Sequence, residues 1–388
     1  MTIEERDETL RRLEASGLRG RGGAAFPVHR KWRAVLAEDD VPFVVANGGE
    51  GEPGSIKDRF ILRTRPGKVI DGLTLAMDTL RAEKGYVYLK GSLVAEEGRL
   101  RAVIAGRGLD ARITVHRGDD TYVGGEETAL LESLEGRRAW PRPKPPRPAA
   151  VGLFGRPTLV QNVDTLARVP DAVKAGADFP AADGLTLTVW GDVRSPGAYD
   201  VAAGRTFRSV IETEGGGATC ALGLVFPNGA HSRPLTEGEL DLPIDAAACE
   251  AAGFRLGTAS ILVLDPATSP SSIVESVARF FEREACGQCP PCTLGAENLR
   301  RLVTGDRPAT IRLTPQTSIR ETVGFMEIHG YCGHARAGAR AVSGLFATWE
   351  DALLDGFRGT ADSSRPTRDP FRPGSQERAA LDAFLDRV

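Results

Sequence analysis

Val41-Pro-Phe-Val-Val-Ala-Asn-Gly-Gly-Glu-Gly-Glu-Pro-Gly54 is an apolar run that stops abruptly in glycines and carboxylates. Val41 to Ala46 reads as a buried strand, because a short continuous apolar run bounded by turn residues suits a strand covered on both faces. A strand that empties into such a loop is how a doubly wound sheet builds a ligand crevice at its carboxyl edge. Glu50 and Glu52 there suit ribityl or ribose hydroxyls, with a solvated turn as the alternative. Outward from this stretch the β-α-β alternation continues. Lys57 to Arg65 and Val69 to Leu80 carry helical patterns, Gly85 to Leu89 a second strand, Leu93 to Gly106 a helix, and Ile113 to Arg117 a third strand. The fold class is α/β. Upstream, residues 3–16 read as a short amphipathic helix with Leu10 and Leu13 on one side.

Between that helix and the first strand lies Gly17-Leu-Arg-Gly-Arg-Gly-Gly-Ala-Ala-Phe26, with four glycines in seven positions. Such a loop can turn several backbone N–H groups into one concavity, and Arg19 and Arg21 add positive charge. It reads as a phosphate cradle or as a flexible connector. Lys31 follows on a helical pattern and brings a cation near the loop. Tyr122-Val-Gly-Gly-Glu-Glu-Thr-Ala-Leu-Leu again sets glycines, Gly125 among them, before two acids, Glu126 and Glu127, and a helical run. Trp140 to Pro148 is a stiff polyproline-like segment that also suits a linker or an SH3-type ligand. Gly152 to Leu166 ends the first domain with an amide pair, Gln161 and Asn162, able to read a heterocycle.

From Leu185 the texture changes. Leu185 to Val193 alternates as a strand, Ser195 to Tyr199 is a turn, Phe207 to Glu214 a short helix, and Ala259 to Leu264 a last strand. Together these suggest a small β-grasp-like domain. Ser272 to Glu284 is a helix leading into Cys286-Gly-Gln-Cys-Pro-Pro-Cys292, with further helices at Leu294–Leu302 and about 338–353. Three thiols at this spacing can hold three corners of an iron–sulfur cubane, with Cys332 as the fourth candidate. Structural zinc more often takes its ligands as two separated pairs. Thiol redox chemistry is the third reading, and a disulfide would need an oxidising compartment. Cys220 and Cys249 have no neighbouring Cys or His and read as small buried hydrophobes. The expected domains are 1–168, 180–268 and 270–358, followed by an irregular tail, 359–388, with an amphipathic turn or two at Ser375 to Val388.

A length of 388 residues calls for two or three domains. A hydrophobic content of 41%, a charged content of 26% and a net charge of −3 are those of an ordinary globular protein with no basic half, which argues against nucleic acid. No apolar run is long enough to cross a bilayer, so direct membrane insertion is not expected. The polar, acidic N-terminus is unlike a signal peptide, and a cytoplasmic location is expected. Glycine is the outlier, at 45 residues against an average near 7%.

These motifs, in this order and spacing, resemble the flavin- and NADH-binding subunit of respiratory complex I, its 51 kDa subunit. NAD-reducing hydrogenases and NAD-linked formate dehydrogenases share this family. Its members carry Gly-Arg-Gly-Gly-Ala-Gly-Phe where this chain has Gly20 to Phe26, and Asn-Ala-Asp-Glu-Ser-Glu-Pro-Gly where it has Asn47 to Gly54. Gly125-Glu-Glu-Thr-Ala-Leu130, Ser133-Leu-Glu-Gly136, Lys144-Pro-Pro146 and the cysteines match as well, and the resemblance covers about residues 17–350. It implies a Rossmann-like flavin domain, a β-grasp insert and a helical bundle carrying one 4Fe-4S cluster. It further implies that Gly20, Gly22, Gly23, Lys31, Asn47, Glu50, Gly125, Glu126 and Asn162 hold FMN, and Tyr122 and Gln161 stand beside them as cofactor-binding candidates. Phe26, Glu52, Glu127 and Lys144 correspond to residues around NAD(H), with Glu52 and Glu127 orienting it and no covalent catalyst. Cys286, Cys289, Cys292 and Cys332 correspond to the cluster ligands.

The departures are specific. Gly49 replaces a usual aspartate, which predicts weaker flavin retention, and Gly124 stands where cysteine is common. Ala34 and Arg147 replace two aromatics that sandwich adenine. The segment before the glycine loop is shorter than usual. No C-terminal ferredoxin-like extension is expected, because four of the six cysteines are already allocated. The resemblance implies hydride transfer from NADH to FMN, then single electrons through the cluster to a ferredoxin or thioredoxin-like 2Fe-2S subunit, in either direction, within a larger oxidoreductase complex. Two alternatives stand beside it: a diverged member using NADPH or another donor, and a non-catalytic scaffold that keeps the cluster as a pin.

Overall fold

Helix α1 (Ile3–Ala15) opens with a capping box. The Glu5 amide donates to Thr2 Oγ1 at 3.2 Å, and the Thr2 amide donates to Glu5 Oε2 at 2.7 Å. Each bond satisfies a backbone N–H that the first turn leaves unpaired. Leu10 and Leu13 are buried on one side, as their spacing implies. The computed structural model describes residues 1–179, 184–304, 314–358 and 364–388.

After α1 come α2 (Val28–Leu36), β1 (Phe43–Gly48), α3 (Lys57–Thr64), α4 (Pro66–Leu80) and β2 (Gly85–Lys90). Then follow α5 (Val94–Gly106), β3 (Ile113–Gly118), α6 (Ala129–Leu134), β4 (Thr158–Asn162) and α7 (Val163–Ala175). The four strands form one parallel sheet in the order β3-β2-β1-β4. Val44, Val87 and Leu89 point into a core shared with α1, α2, α4, α5 and α7, and Val45, Tyr88 and Val160 are buried on the other face. Coverage of both faces explains why β1 reads as a continuous apolar run.

The second unit comprises β5 (Leu185–Gly191), β6 (Gly197–Val201), α8 (Phe207–Thr213), β7 (Leu224–Phe226), α9 (Ala246–Ala251) and β8 (Ser260–Leu264). Its sheet runs β6-β5-β8-β7, with β5 and β8 parallel and the outer pairs antiparallel. Helices α10 (Pro270–Arg283), α11 (Pro290–Val303), α12 (Pro315–His329) and α13 (Gly333–Arg358) come next, and α14 (Gln376–Leu385) closes the chain. Ile273, Phe281, Leu299, Met326 and Val342 of these helices share one core with Trp190, Phe226 and Leu262 of the second sheet. The architecture is mixed α/β around a parallel sheet.

Several expectations need correcting. β4 was not anticipated, because five residues with polar ends give too little periodicity to count. The boundary at 168 falls inside α7, and the turn expected at Ser195 to Tyr199 is half strand, since β6 begins at Gly197. α12 and β7 were also missed. The Lys144–Pro145 and Pro145–Pro146 bonds of the proline-rich segment are cis. Residues 364–375 carry no regular structure, as expected, and the amphipathic turns expected at Ser375 to Val388 form α14; Phe371, Leu381 and Leu385 bury the tail in the core shared by the second sheet and the helices. Cys249 is buried as expected, whereas Cys220 is only half-buried.

Candidate functional site

The chain leaves β1 through α3 and α4 to β2 and β3, then returns to the opposite side of β1 as β4. Strand order therefore reverses between β1 and β4, and a doubly wound sheet opens its ligand crevice where that happens. Asn47 and Asn162 sit there side by side in register. A cavity of about 390 Å³ lies beyond them. Gly22, Gly23, Asn47, Glu50, Glu52, Tyr122, Gly125, Glu126 and Asn162, all proposed from sequence, line it. Cys332, Gly333 and His334 form part of the same wall.

Hydrogen bonds hold this wall in place. Asn47 Nδ2 donates to the Gly125 carbonyl at 2.9 Å, and the Gly49 amide donates to Asn47 Oδ1 at 2.9 Å, tying the two acidic loops together. Asn162 caps α7 by accepting the Asp164 amide at 3.1 Å and donates to Asp58 Oδ2 at 2.6 Å. Glu50 accepts the Asp58 amide at 3.1 Å and the Ser55 hydroxyl. Glu126 accepts the Thr128 and Ala129 amides at the start of α6, where a carboxylate is favoured. Gly23 has φ +98°, a backbone that other residues rarely adopt, so a glycine is required at this end of the cavity. At Gly49 a Cβ would lie 3.0 Å from Tyr88 Cε1 and 3.1 Å from Gly125 Cα. The loop has closed over the space an aspartate would need.

Other sequence candidates lie elsewhere. Gly20 donates its amide to the Phe26 carbonyl at 2.8 Å and faces a separate cavity of about 510 Å³ between the glycine loop and the second sheet. Arg19 and Arg21 line that cavity, not the one at the strand switch, so the expected charge of the glycine loop points away from Asn47. Gln161 is buried beneath the loop and lines neither cavity; among the described residues its Oε1 has no partner. Phe26 is 51% exposed, and Ala34 and Arg147 are also exposed. Lys31, Glu127, Lys144 and Glu126 form one ion network, with Lys31 Nζ 3.2 Å and Lys144 Nζ 3.0 Å from Glu127 and Lys144 Nζ 2.6 Å from Glu126. Burial opposes charge on Glu127, but Lys31 and Lys144 outweigh it and hold its carboxyl at about 2. Its stabilising contribution is therefore present above the ordinary carboxyl range and lost only as pH falls toward 2.

Some site residues were not foreseen. His231, from the second unit, bonds through Nδ1 to Glu52 and through Nε2 to the Tyr122 hydroxyl at 3.2 Å. Phe281 meets the His231 ring edge-on at 5.0 Å. Lys57 is fully buried against Asp58 and near Asp164; burial opposes its charge, yet Asp58, Asp164 and Glu50 raise its pKa. His334 donates from Nε2 to the Phe281 carbonyl at 3.0 Å, and burial pushes it down to about 4, leaving it neutral. Lys57 and Asp58 adjoin the acidic loop in sequence and offered a signal; His231 had none.

Cys289, the residue before α11, and Cys292 in its first turn are buried together against Ala335 of α13. Cys332 is buried and Cys286 half-buried. Burial pushes the Cys292 thiol up to about 12, and the neighbouring Cys332, Cys289 and Cys286 add to this. Four such thiols can ionise together only beside strong positive charge. Among the described residues no three His, Cys, Asp or Glu side chains converge on a single-ion position.

Comparison with known proteins agrees with this geometry. Residues 13–171 match the family described as the Nuo51 FMN-binding domain, and residues 272–355 match the NADH-ubiquinone oxidoreductase-F iron-sulfur binding region. The second NADH-quinone oxidoreductase F subunit of Rhizobium meliloti (strain 1021) is 37% identical over 327 residues, covering 77% of this chain and 78% of that protein. The F subunit of the Escherichia coli (strain K12) enzyme is 36% identical over 341 residues, covering 80% and 76%. Among solved structures, a chain of an NAD+-reducing [NiFe]-hydrogenase in the H2-reduced state superposes with a TM-score of 0.81 at 28% identity over 93% of this chain. This chain spans 64% of that hydrogenase chain. With two thirds and more of both NADH-quinone oxidoreductase relatives matched at this identity, the chain belongs to the family of NADH-quinone oxidoreductase F subunits, the 51 kDa flavin- and NADH-binding chains.

Proposed function

We propose that this chain is the NADH dehydrogenase module of a larger oxidoreductase, moving electrons from NADH through FMN to a 4Fe-4S cluster. The observation that carries the reading is the shared wall: Cys332 lines the same cavity as Gly23, Asn47, Glu126 and Asn162. A flavin held there and a cluster held by Cys286, Cys289, Cys292 and Cys332 would be neighbours. When bound, FMN takes electrons as a hydride pair and the cluster takes them singly.

The residues fit the groups. Gly22 and Gly23 leave backbone open to a phosphate, Asn47 and Asn162 present amides at the switch point, and Glu50 and Glu126 can accept ribityl hydroxyls. Glu52 and Glu127 are the nucleotide-orienting groups, with Lys31 and Lys144 paired to Glu127. The second unit reads as a β-grasp-like domain and 270–358 as the helical cluster domain. No helix among the described residues is long and apolar enough to cross a membrane. For the acceptor we favour a ferredoxin or thioredoxin-like 2Fe-2S subunit in the cytoplasm. Leu294, Phe325, Ile328 and Tyr331 are exposed within a few residues of Cys292 and Cys332, as a transient docking face would be.

Anaerobic titration tests the function. NADH should bleach the flavin and then the cluster, and NADPH should do so less readily. Chromophores that dithionite reduces but neither nucleotide does would overturn this reading and leave a member with another electron donor or the scaffold. Nucleotide choice follows from the ion network. Glu126 and Glu127 balance Lys31 and Lys144, so Glu127→Gln leaves net positive charge where a 2′-phosphate would approach. Its NADH-to-NADPH preference should shift toward NADPH on the order of tenfold. An unchanged ratio of kcat/KM values would remove Glu127 as the selector.

A further inference from the structure

The cavity at the strand switch is acidic. Glu50, Glu52, Asp58 and Glu126 line it, and of its cations Lys57 is bonded to Asp58. The arginines of the glycine loop face the other cavity. A phosphate monoester carries between one and two negative charges at neutral pH and would meet net repulsion from these groups. Arg255 is the exception. It lines both cavities, where they approach each other across Gly23 and Ala24. Among the described residues its side chain makes no hydrogen bond or ion pair.

Its position is built. Phe254 and Leu256, on either side, are buried in the core of the second sheet, so the side chain between them turns outward. Two residues on, the Thr258 amide and hydroxyl both donate to Asn228 Oδ1, at 3.0 and 3.2 Å. Thr258 Cγ2 would lie 3.8 Å from a Cβ at Gly23, which sets the 254–258 turn directly against the glycine loop. Tyr122, Cys332 and His334 line the same cavity.

Resting on the flavin reading above, we propose that Arg255 binds the phosphate of FMN and makes the cavity select FMN over riboflavin. The second unit then completes the flavin site instead of only spacing the two redox centres. A guanidinium can meet a phosphate with paired N–H bonds, and nothing on the acidic wall supplies an equivalent.

Fluorescence titration of the full chain freed of flavin, with FMN and with riboflavin, tests this. The wild type should bind FMN more tightly than riboflavin. Arg255→Ala should weaken FMN by roughly 10- to 100-fold, the range for hydrogen bonds to a charged group, and leave riboflavin unchanged. Arg255→Lys should recover part of the loss, since it keeps the charge without the fork. Unchanged FMN affinity in Arg255→Ala, or equal weakening of both flavins, overturns the proposal while leaving the flavin reading intact. A wild type that binds neither flavin overturns that reading itself.

Discussion

Cys289→Ser should abolish the iron–sulfur absorption and strip the protein of iron, while flavin stays bound. The wild type, purified without oxygen, should hold about four irons and four sulfides per chain. Cys289 is buried where the chain enters α11, packed with Cys292 against Ala335, so no solvent thiol can replace it. A serine hydroxyl keeps its proton under conditions where a metal-bound thiol gives it up, and one corner of the cluster is lost. Flavin should remain, because Asn47, Asn162 and the glycine loop are carried by the parallel sheet and its loops, away from α11. Iron, sulfide and flavin assays on both proteins decide the matter. Stoichiometric zinc without sulfide in the wild type would falsify the cluster assignment.

Gly125→Val should empty the flavin site by a different route. A Cβ at Gly125 would lie 2.1 Å from the Gly49 carbonyl oxygen, far inside any tolerated contact. That carbonyl belongs to the loop which Asn47 ties to Gly125 by its side chain, so neither loop can yield without breaking the other's hydrogen bonds. Overpacking of this kind costs about 1–3 kcal/mol, and it falls on the two loops that wall the cavity. FMN affinity should drop by at least about tenfold, with thermal stability lowered. Gly98→Ala is the control: a Cβ there meets nothing within 4 Å on α5, and the change should stabilise the helix slightly and leave flavin binding alone. Equal flavin affinity in Gly125→Val and the wild type would mean that the cavity is not the flavin site. The same crowding bears on Gly49, where restoring the family's aspartate should not by itself improve retention.

The glycine loop, the acidic loop after β1, the pair Glu126 and Glu127, and the cysteine run were all legible in sequence. Each is a contiguous stretch whose chemistry is local: backbone freedom at Gly22 and Gly23, apolar continuity in Val41 to Ala46, thiol spacing in Cys286 to Cys292. Side-chain destinations were not legible. Arg19 and Arg21 stand in the right loop but face the wrong cavity, and Gln161 has the right chemistry but lies under the loop. His231 reaches Glu52 and Tyr122 from a 3-10 turn in another unit, and Arg255 reaches Gly23 from beside Phe254 and Leu256. β4 decides the most. Its polar ends, Thr158 and the amides Gln161 and Asn162, hide the strand in sequence, yet its pairing beside β1 reverses the strand order and creates the crevice. Local pattern can specify an element, but which elements lie side by side is set by the summed burial of a whole core. The site's long-range partners therefore became visible only once that core was assembled.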